Sequence, residues 1–497
     1  MASENYSIMP PMKKYFKIAL ISLLILIILL SGLLFTQKGN DIVKPYLKAE
    51  LEKQIGLPVE VSLYKLRYDN TELKIVVNNA LNVDVSSVFN LLDLSFDGTY
   101  TLYANNFVYE EISLKEANIN GEFKGVPSDI LVNGKGTSFE APLNYYLRVL
   151  DGDAKEITIN LKDMNLSDIL ILAKQPPAAK GKVDANITMP TLVKGEMNVH
   201  GKILFDDVTF NDEIMKKAYK VSIPEEMKMD GIVDANLTDT TIIGSVAMQS
   251  NIANVNLEDV RFDRKTKHIS SNYIVDIMNL KSLSDLLRTK MDGAIVLEGD
   301  VEKEKTLKVT GVSKSLGGEI HYTVLDKNLT ASLAAVPAKN LLNMFQFPAF
   351  VNADASGEFK YHLKKKTGNT KLALEEFRLA SNTVTKSLKM MIQKDPTSIV
   401  FGETLLNAGI DGDMINYTLK AKAQDASITV GEATINKEKD THDAMIEFAY
   451  NKYAIKGNIG GSIRQPTVGF DATGFMPDTD FMPKAEKKIK KFFKRLF

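Results

Sequence analysis

The sequence predicts a mainly β protein: one long, curled antiparallel sheet with short helical inserts, set between an N-terminal transmembrane helix and a C-terminal amphipathic helix. Three observations predict it. Residues 18–35, IALISLLILIILLSGLLF, form a charge-free run of 18. After Pro58 the hydrophobic period changes from near 3.6 to 2, and a loose unit of several strands plus one small helix recurs from there. The expected segments are a cytoplasmic tail (1–17), the transmembrane helix (18–35), an amphipathic linker helix (36–57), a repetitive β-groove domain (58–482) and a basic amphipathic helix (483–497).

At about 1.5 Å of rise per residue the first apolar run reaches roughly 27 Å, the thickness of a bilayer's hydrocarbon core. Lys13, Lys14 and Lys17 precede it, and such lysines stay on the cytoplasmic side, so the body after Phe35 is expected to be exported. A cleaved signal peptide has a shorter apolar core and an A-x-A site; here LFTQKGND follows instead. In the linker, Ile42, Val43, Tyr46, Leu47, Leu51 and Ile55 fall at helical spacing, with Gly56 at the C-cap and Pro58 as a stop.

Beyond Pro58, apolar residues alternate with polar ones. The expected wall residues are Ile157, Ile159 and Leu161, then Val183 and Ile187, Val233 and Leu237, Val275 and Ile277. The same register returns in Ile320 and Tyr322, in Phe359, Tyr361 and Leu363, in Tyr417 and Leu419, and in Ile446 and Phe448. One wet face and one apolar face favour antiparallel pairing. Helical inserts are expected at 167–172, 282–287 and 338–345, with a fourth at 85–92. Glycines are expected to open strands at Gly98, Gly181, Gly231, Gly293, Gly357 and Gly412, the last five spaced by 50, 62, 64 and 55 residues. Some 25 to 30 strands at roughly 4.8 Å each would make a trough on the order of 120 to 145 Å long, its inner wall apolar. Such a wall suits acyl chains.

In the last segment, Pro483 starts a helix whose apolar residues include Ile489, Phe492, Phe493, Leu496 and Phe497, surrounded by Lys487, Lys491, Arg495 and other cations. That is the composition of a helix lying in a membrane interface. The total charge of −1 is segregated: residues 1–35 carry +2 and 484–497 carry +6, leaving −9 for the body. An acidic body is a poor partner for nucleic acid. With no cysteine there is neither a disulfide framework nor a thiolate site, and five histidines stand apart from one another. No phosphate loop, nucleophile elbow or carboxylate dyad is seen, so no catalytic residue, metal or cofactor is expected. Four sequons, at Asn165, Asn186, Asn236 and Asn328, each follow an acidic residue two places earlier. Outward alternation of Asn and Thr on strands explains them.

The apolar anchor, the amphipathic helix ending in Gly56-Leu57-Pro58-Val59, the strand repeats and a late Gly460-Gly461-Ser462-Ile463-Arg464-Gln465-Pro466-Thr467-Val468 stretch together resemble the AsmA family. Those are bacterial inner-membrane proteins similar to bridge-like lipid-transfer proteins. The resemblance implies a taco-shaped periplasmic groove moving phospholipid between inner and outer membranes. It further implies a single-pass inner-membrane protein with a cytoplasmic N-terminus, an outer-membrane leaflet as target of the C-terminal helix, and periplasmic partner proteins. An alternative of another class is a scaffold or assembly factor for outer-membrane β-barrel proteins, acting through a free sheet edge.

Overall fold

A computed structural model describes residues 35–471, apart from 68, 91, 110–111, 192–194, 225, 285–288 and 452. The expected transmembrane helix, except for Phe35, and the expected C-terminal helix lie outside the described residues. Among the described residues no helix is long and apolar enough to cross a membrane. Among the described residues 63% are strand, in an antiparallel sheet of 26 strands that does not close, with five helices. It divides into two compact units, residues 1–269 and 270–497.

The first unit opens with helix α1 (Gln37–Ile55) and strands β1 (Val59–Leu66), β2 (Asn70–Val77), β3 (Leu81–Asn90), β4 (Ser95–Tyr109), β5 (Ile112–Val126), β6 (Asp129–Ser138), β7 (Ala141–Leu150) and β8 (Asp153–Asn165). Helix α2 (Leu166–Leu172), β9 (Ala179–Thr191), β10 (Asn198–Phe210), α3 (Asp212–Tyr219), β11 (Lys228–Thr238), β12 (Thr241–Ser250) and β13 (Ala253–Asp263) complete it. Each strand pairs antiparallel with the next. Strand β14 (Ile269–Ile277) begins at the division between the units.

The second unit continues through β15 (Ile295–Lys303), β16 (Leu307–Ser313), β17 (Glu319–Leu325), β18 (Asn328–Pro337), α4 (Ala338–Met344), β19 (Val351–His362) and β20 (Thr367–Leu379). It ends with α5 (Thr383–Ile392), β21 (Glu403–Asp411), β22 (Met414–Lys422), β23 (Ala426–Asn436), β24 (Thr441–Tyr450), β25 (Tyr453–Gly461) and β26 (Pro466–Asp471). From β15 onward the pairing is again antiparallel between successive strands.

Helix α1 begins where Thr36 accepts the Gly39 N–H (3.2 Å) and ends at Gly56, whose φ of 73° is the left-handed C-cap. Leu47, Leu51 and Ile55 are buried, but Ile42 and Tyr46 are 60% and 74% exposed, contrary to the expected apolar face. The face turned to β1 runs through Asn40, Val43, Leu47, Leu51 and Ile55 at i, i+3 and i+4 steps, which leaves Ile42 and Tyr46 off it.

The helix does more than pack. The Asn40 amide donates to the Leu66 carbonyl (3.2 Å) and accepts the Leu66 N–H (3.1 Å), Lys44 donates to the Ser62 carbonyl (3.3 Å), and Glu52 accepts the Val59 N–H (3.1 Å). These side chains satisfy groups that β1 would otherwise present as an open sheet edge.

Other expectations need correction. Residues 85–90 are not helical: they belong to β3, held by pairs such as Val85↔Tyr100 and Val88↔Asp97. The insert expected at 282–287 falls mostly outside the described residues: a 3₁₀ turn, Leu280–Leu283, leads into it and Ser284 is helical, with the Asn279 side chain accepting the Lys281 and Ser282 N–H groups. Two helices were not expected, α3 and α5, each opened by an asparagine N-cap, Asn211 and Asn382.

Nor do the glycines open strands as a rule. Gly98, Gly181, Gly231 and Gly357 lie within β4, β9, β11 and β19, while Gly293 precedes β15 and Gly412 makes the β21–β22 turn. Gly181, at φ 154°, lies opposite the bulge in β10, and Gly357, at φ 152°, lies beside the one in β18; the backbone of β10 at the first and of β20 at the second comes too close for a Cβ. Bulges recur with one left-handed residue each, at Asp163, Asp207, Ala335, Glu376 and Glu432 among others. The N–H freed at three of them finds a side chain on the next strand: Asp163 with Asp184 (2.7 Å), Asp207 with Asp230 (2.9 Å) and Ala335 with Ser356 (3.0 Å). Bulges bend and twist a strand, so their repetition curls the ladder.

Candidate functional site

Strand registers place the alternating side chains in rows that cross each unit. In the first unit one row reads Tyr64, Leu73, Val85, Tyr100, Gly121, Gly134, Tyr145, Ile159, Ile187, Gly201, Ala235, Gly244, Val260, one residue from each of β1 to β13. Beside it runs Val61, Ile75, Val83, Leu102, Ile119, Gly136, Leu143, Leu161, Ala185, Ile203, Val233, Val246, Leu257. Neither row contains a charge or an amide. The next row out, on the opposite face, reads Lys74, Asp84, Thr101, Asn120, Lys135, Asn144, Asn160, Asn186, Lys202, Asp234, Ser245. From β2 to β12 this row is polar where the two rows on the other face are apolar, although Leu204, Ile232 and Ile243 also stand on the polar face.

The second unit repeats the arrangement. Ile320, Leu333, Gly357, Leu372, Leu406, Leu419, Val430, Ile446, Gly457 and Phe470 form a row from β17 to β26 without a polar side chain. A parallel row, Gly299, Gly311, Tyr322, Ala331, Phe359, Thr370, Ala408, Tyr417 and Ala433, is interrupted only by Thr370, whose hydroxyl is satisfied by the Glu358 carbonyl (2.8 Å).

Burial changes along the rows. From β1 to β5 the first unit's wall is a filled core: Val61, Ile75, Val83 and Ile119 are buried, and α1 covers its first strands. From β8 to β13 the same rows are only half-buried at Ile159, Leu161, Ile187, Ile203, Val233 and Val246. In the second unit the half-buried part is β15 to β19, while β23 to β25 carry buried Ile428, Val430, Phe448 and Ile455 in a core that includes Leu388 and Ile392 of α5. Each unit therefore joins a closed core to an apolar stretch that remains partly open to solvent.

The expected wall residues fall accordingly. Ile446 and Phe448 are buried in the second unit's core and Ile157, Val183 and Leu237 in smaller apolar clusters on β8, β9 and β11, whereas Ile159, Leu161, Ile187, Val233, Val275, Ile277, Ile320, Tyr322, Phe359, Tyr361, Tyr417 and Leu419 are half-buried. Leu363 lies past the end of β19 and is 48% exposed, because the strand has already turned. The expected membrane contacts, Ile489, Phe492, Phe493, Leu496, Phe497, Lys487, Lys491 and Arg495, lie outside the described residues.

Tyrosines laid flat over glycines were not anticipated. Tyr100 on β4 and Tyr145 on β7 reach toward each other over Gly121 and Gly134; their hydroxyls meet, and Tyr100 donates to the Asn133 carbonyl (2.9 Å). Tyr273 on β14 and Tyr322 on β17 do the same over Gly311, with hydroxyls 2.6 Å apart and Tyr273 donating to the Thr310 carbonyl (3.1 Å). A Cβ at Gly311 would lie 2.6 Å from both hydroxyl oxygens. Burial raises the pKa of all four tyrosines, so they stay neutral. The signal in the sequence was a tyrosine followed by glycines on the next two strands, legible only once register is known.

A third crossbar joins Tyr417 to His442 Nε2 (2.8 Å); burial pushes the phenol up to about 12 and lowers the imidazole. Each bridge puts a polar pair on the apolar face and satisfies it internally, leaving the wall smooth.

The polar face is chemically scattered. A cavity of about 830 Å³ in the second unit is lined chiefly from that face, by residues such as Glu358, Lys360, Asn369, Asn407 and Thr434. No three His, Cys, Asp or Glu side chains converge as a metal site among the described residues. Three of the four sequon asparagines are engaged: Asn165 accepts from Lys182 (3.0 Å), Asn186 pairs with Asn160, and Asn236 with His200 (3.0 Å). Compared with known proteins, the chain matches no protein-family model and no curated protein in sequence.

Proposed function

We propose that this chain is a non-enzymatic lipid conduit that carries phospholipid between the inner and outer bacterial membranes, acyl chains on the apolar wall and headgroups in water. The observation that carries the reading is the half-buried part of the rows, β8 to β13 in one unit and β15 to β19 in the other, where unbroken apolar side chains stay partly open to solvent. A soluble domain ordinarily covers a continuous apolar surface of this kind. Burying an acyl chain is worth about 0.8 kcal/mol per methylene, and a row without polar side chains makes that energy nearly even from strand to strand. A lipid then slides without a deep trap.

The resemblance to the AsmA family supports the same reading, as does the charge-free run at 18–35, which suits an inner-membrane anchor with the body in the periplasm. The competing scaffold reading expects an exposed edge strand near the C-terminus to capture a protein client and charges placed on the apolar wall to be harmless. The test uses photo-crosslinking side chains at Leu161, Val233, Ile320 and Phe359 in the full chain, with Asn160, Asp234 and Lys371 of the polar face as controls. Phospholipid captured at the first set and not at the second supports the conduit. Capture at neither set by a folded chain refutes it.

A further inference from the structure

The turn joining β3 to β4 adds exposed apolar side chains to the polar ones that an ordinary surface turn presents to water. Here Asn90 accepts the Leu92 N–H (3.0 Å), and Asp93 accepts both the N–H (3.0 Å) and the hydroxyl (2.7 Å) of Ser95. Both polar side chains are spent on the turn itself. Asn90 and Asp93 remain exposed, and beside them large apolar side chains project: Leu92 is 96% exposed, Val88 60% and Leu94 56%. Leu94 also holds φ 57°, a left-handed conformation that a glycine or asparagine adopts at less cost. The fold of the first unit gains neither burial nor backbone comfort from this leucine.

Beside the turn stands Phe35, its ring stacked on that of Phe89 with centroids 6.1 Å apart. Phe35 is the last residue of the 18-residue charge-free run, so the chain leaving that run meets the folded body at this turn. We propose that the β3–β4 turn is a second membrane contact, with Leu92, Leu94 and Val88 entering the leaflet from which residues 18–35 emerge. This rests on reading that run as a bilayer anchor. A protein partner fits less well, because a stable protein interface covers about 800 Å² on each side, far more than three side chains at one turn offer. A leaflet accepts isolated apolar tips, and an anchor alongside holds them at high local concentration. Two attachments fix the orientation of the β3–β4 end against the bilayer, where one flexible joint would let it swivel.

The chain has no cysteine, so single substitutions Leu92→Cys, Leu94→Cys, Leu24→Cys and Leu405→Cys each carry one nitroxide label in the full-length protein. In nanodiscs of phosphatidylethanolamine and phosphatidylglycerol, accessibility to oxygen against a water-soluble nickel chelate reports depth. Labels at 92 and 94 are expected to favour oxygen, as the label at 24 does, while the label at 405, on a leucine that is 58% exposed, favours the chelate. If 92 and 94 favour the chelate while 24 favours oxygen, the second contact is wrong and the anchor stands. If 24 also favours the chelate, the anchor reading falls and this inference falls with it. All labels but the one at 24 replace exposed side chains, so the fold tolerates them.

Discussion

Asn40 shows how much one side chain decides. It is a buried polar residue on a helix, 5% exposed, and it stands in for a neighbouring strand by meeting both backbone groups of Leu66. Asn40→Ala should leave those groups unpaired and cost about 1–3 kcal/mol, read as a lower urea midpoint of the first unit and faster amide exchange at Leu66. His442 is the matching case in the second unit. Burial lowers its pKa below the ordinary 6.5, with Asp443 opposing in part. The unfolded chain therefore takes up a proton at His442 before the folded chain does, so stability is complete above about pH 6.5 and declines as pH falls toward the folded-state value. The urea midpoint of the second unit should drop between about pH 7 and 5.5 in the parent and drop less in His442→Gln. Neither role was legible in the sequence, where nothing marked Asn40 and His442 stood as an isolated imidazole. The partners of each are decided by strand register across 25 or more residues.

Among the elements, strands were the easiest to foresee, because alternation of side chains is local and strict. The helices were not all visible: α2 and α4 were expected, whereas α3 and α5 are short and open on asparagine caps, α5 in addition burying Leu388 and Ile392. The run 85–92 misled because VSSVFNLL also has helical spacing, and pairing with β4 overrides it. Glycines divide in a way that only register reveals. A Cβ at Gly136 would collide with the Asn118 carbonyl oxygen, while a Cβ at Gly201 meets nothing within 4 Å. Gly136→Ala should therefore destabilise the first unit by about 1–3 kcal/mol, and Gly201→Ala should be neutral or slightly stabilising in the same thermal melt. Equal effects of the two substitutions would count against the close approach of β5 and β6.

At the scale of the whole molecule the prediction concerns which face carries lipid. Val233 and Ile232 are neighbours on β11; Val233 belongs to the apolar row, and Ile232 points the other way and is 41% exposed. Val233→Asp should abolish co-purifying phospholipid or its crosslinking further along the wall, because an unpaired carboxylate stands where tails pass. Ile232→Asp should leave both unchanged. In the second unit, Ile277→Asp and Leu419→Asp are expected to act like Val233→Asp, and Leu405→Asp, on the exposed side, like Ile232→Asp. Composition and periodicity determined by themselves that this is a β protein with one apolar and one polar face, since alternation writes the face of every strand residue into its neighbours. Only the tertiary structure decided where that apolar face is sealed as core and where it stays open, which glycines are compressed beneath tyrosines, and how the first edge is covered. Those depend on which strands lie side by side and on the bulges that shift their register, and a one-residue shift in pairing changes every contact without changing a letter of the sequence.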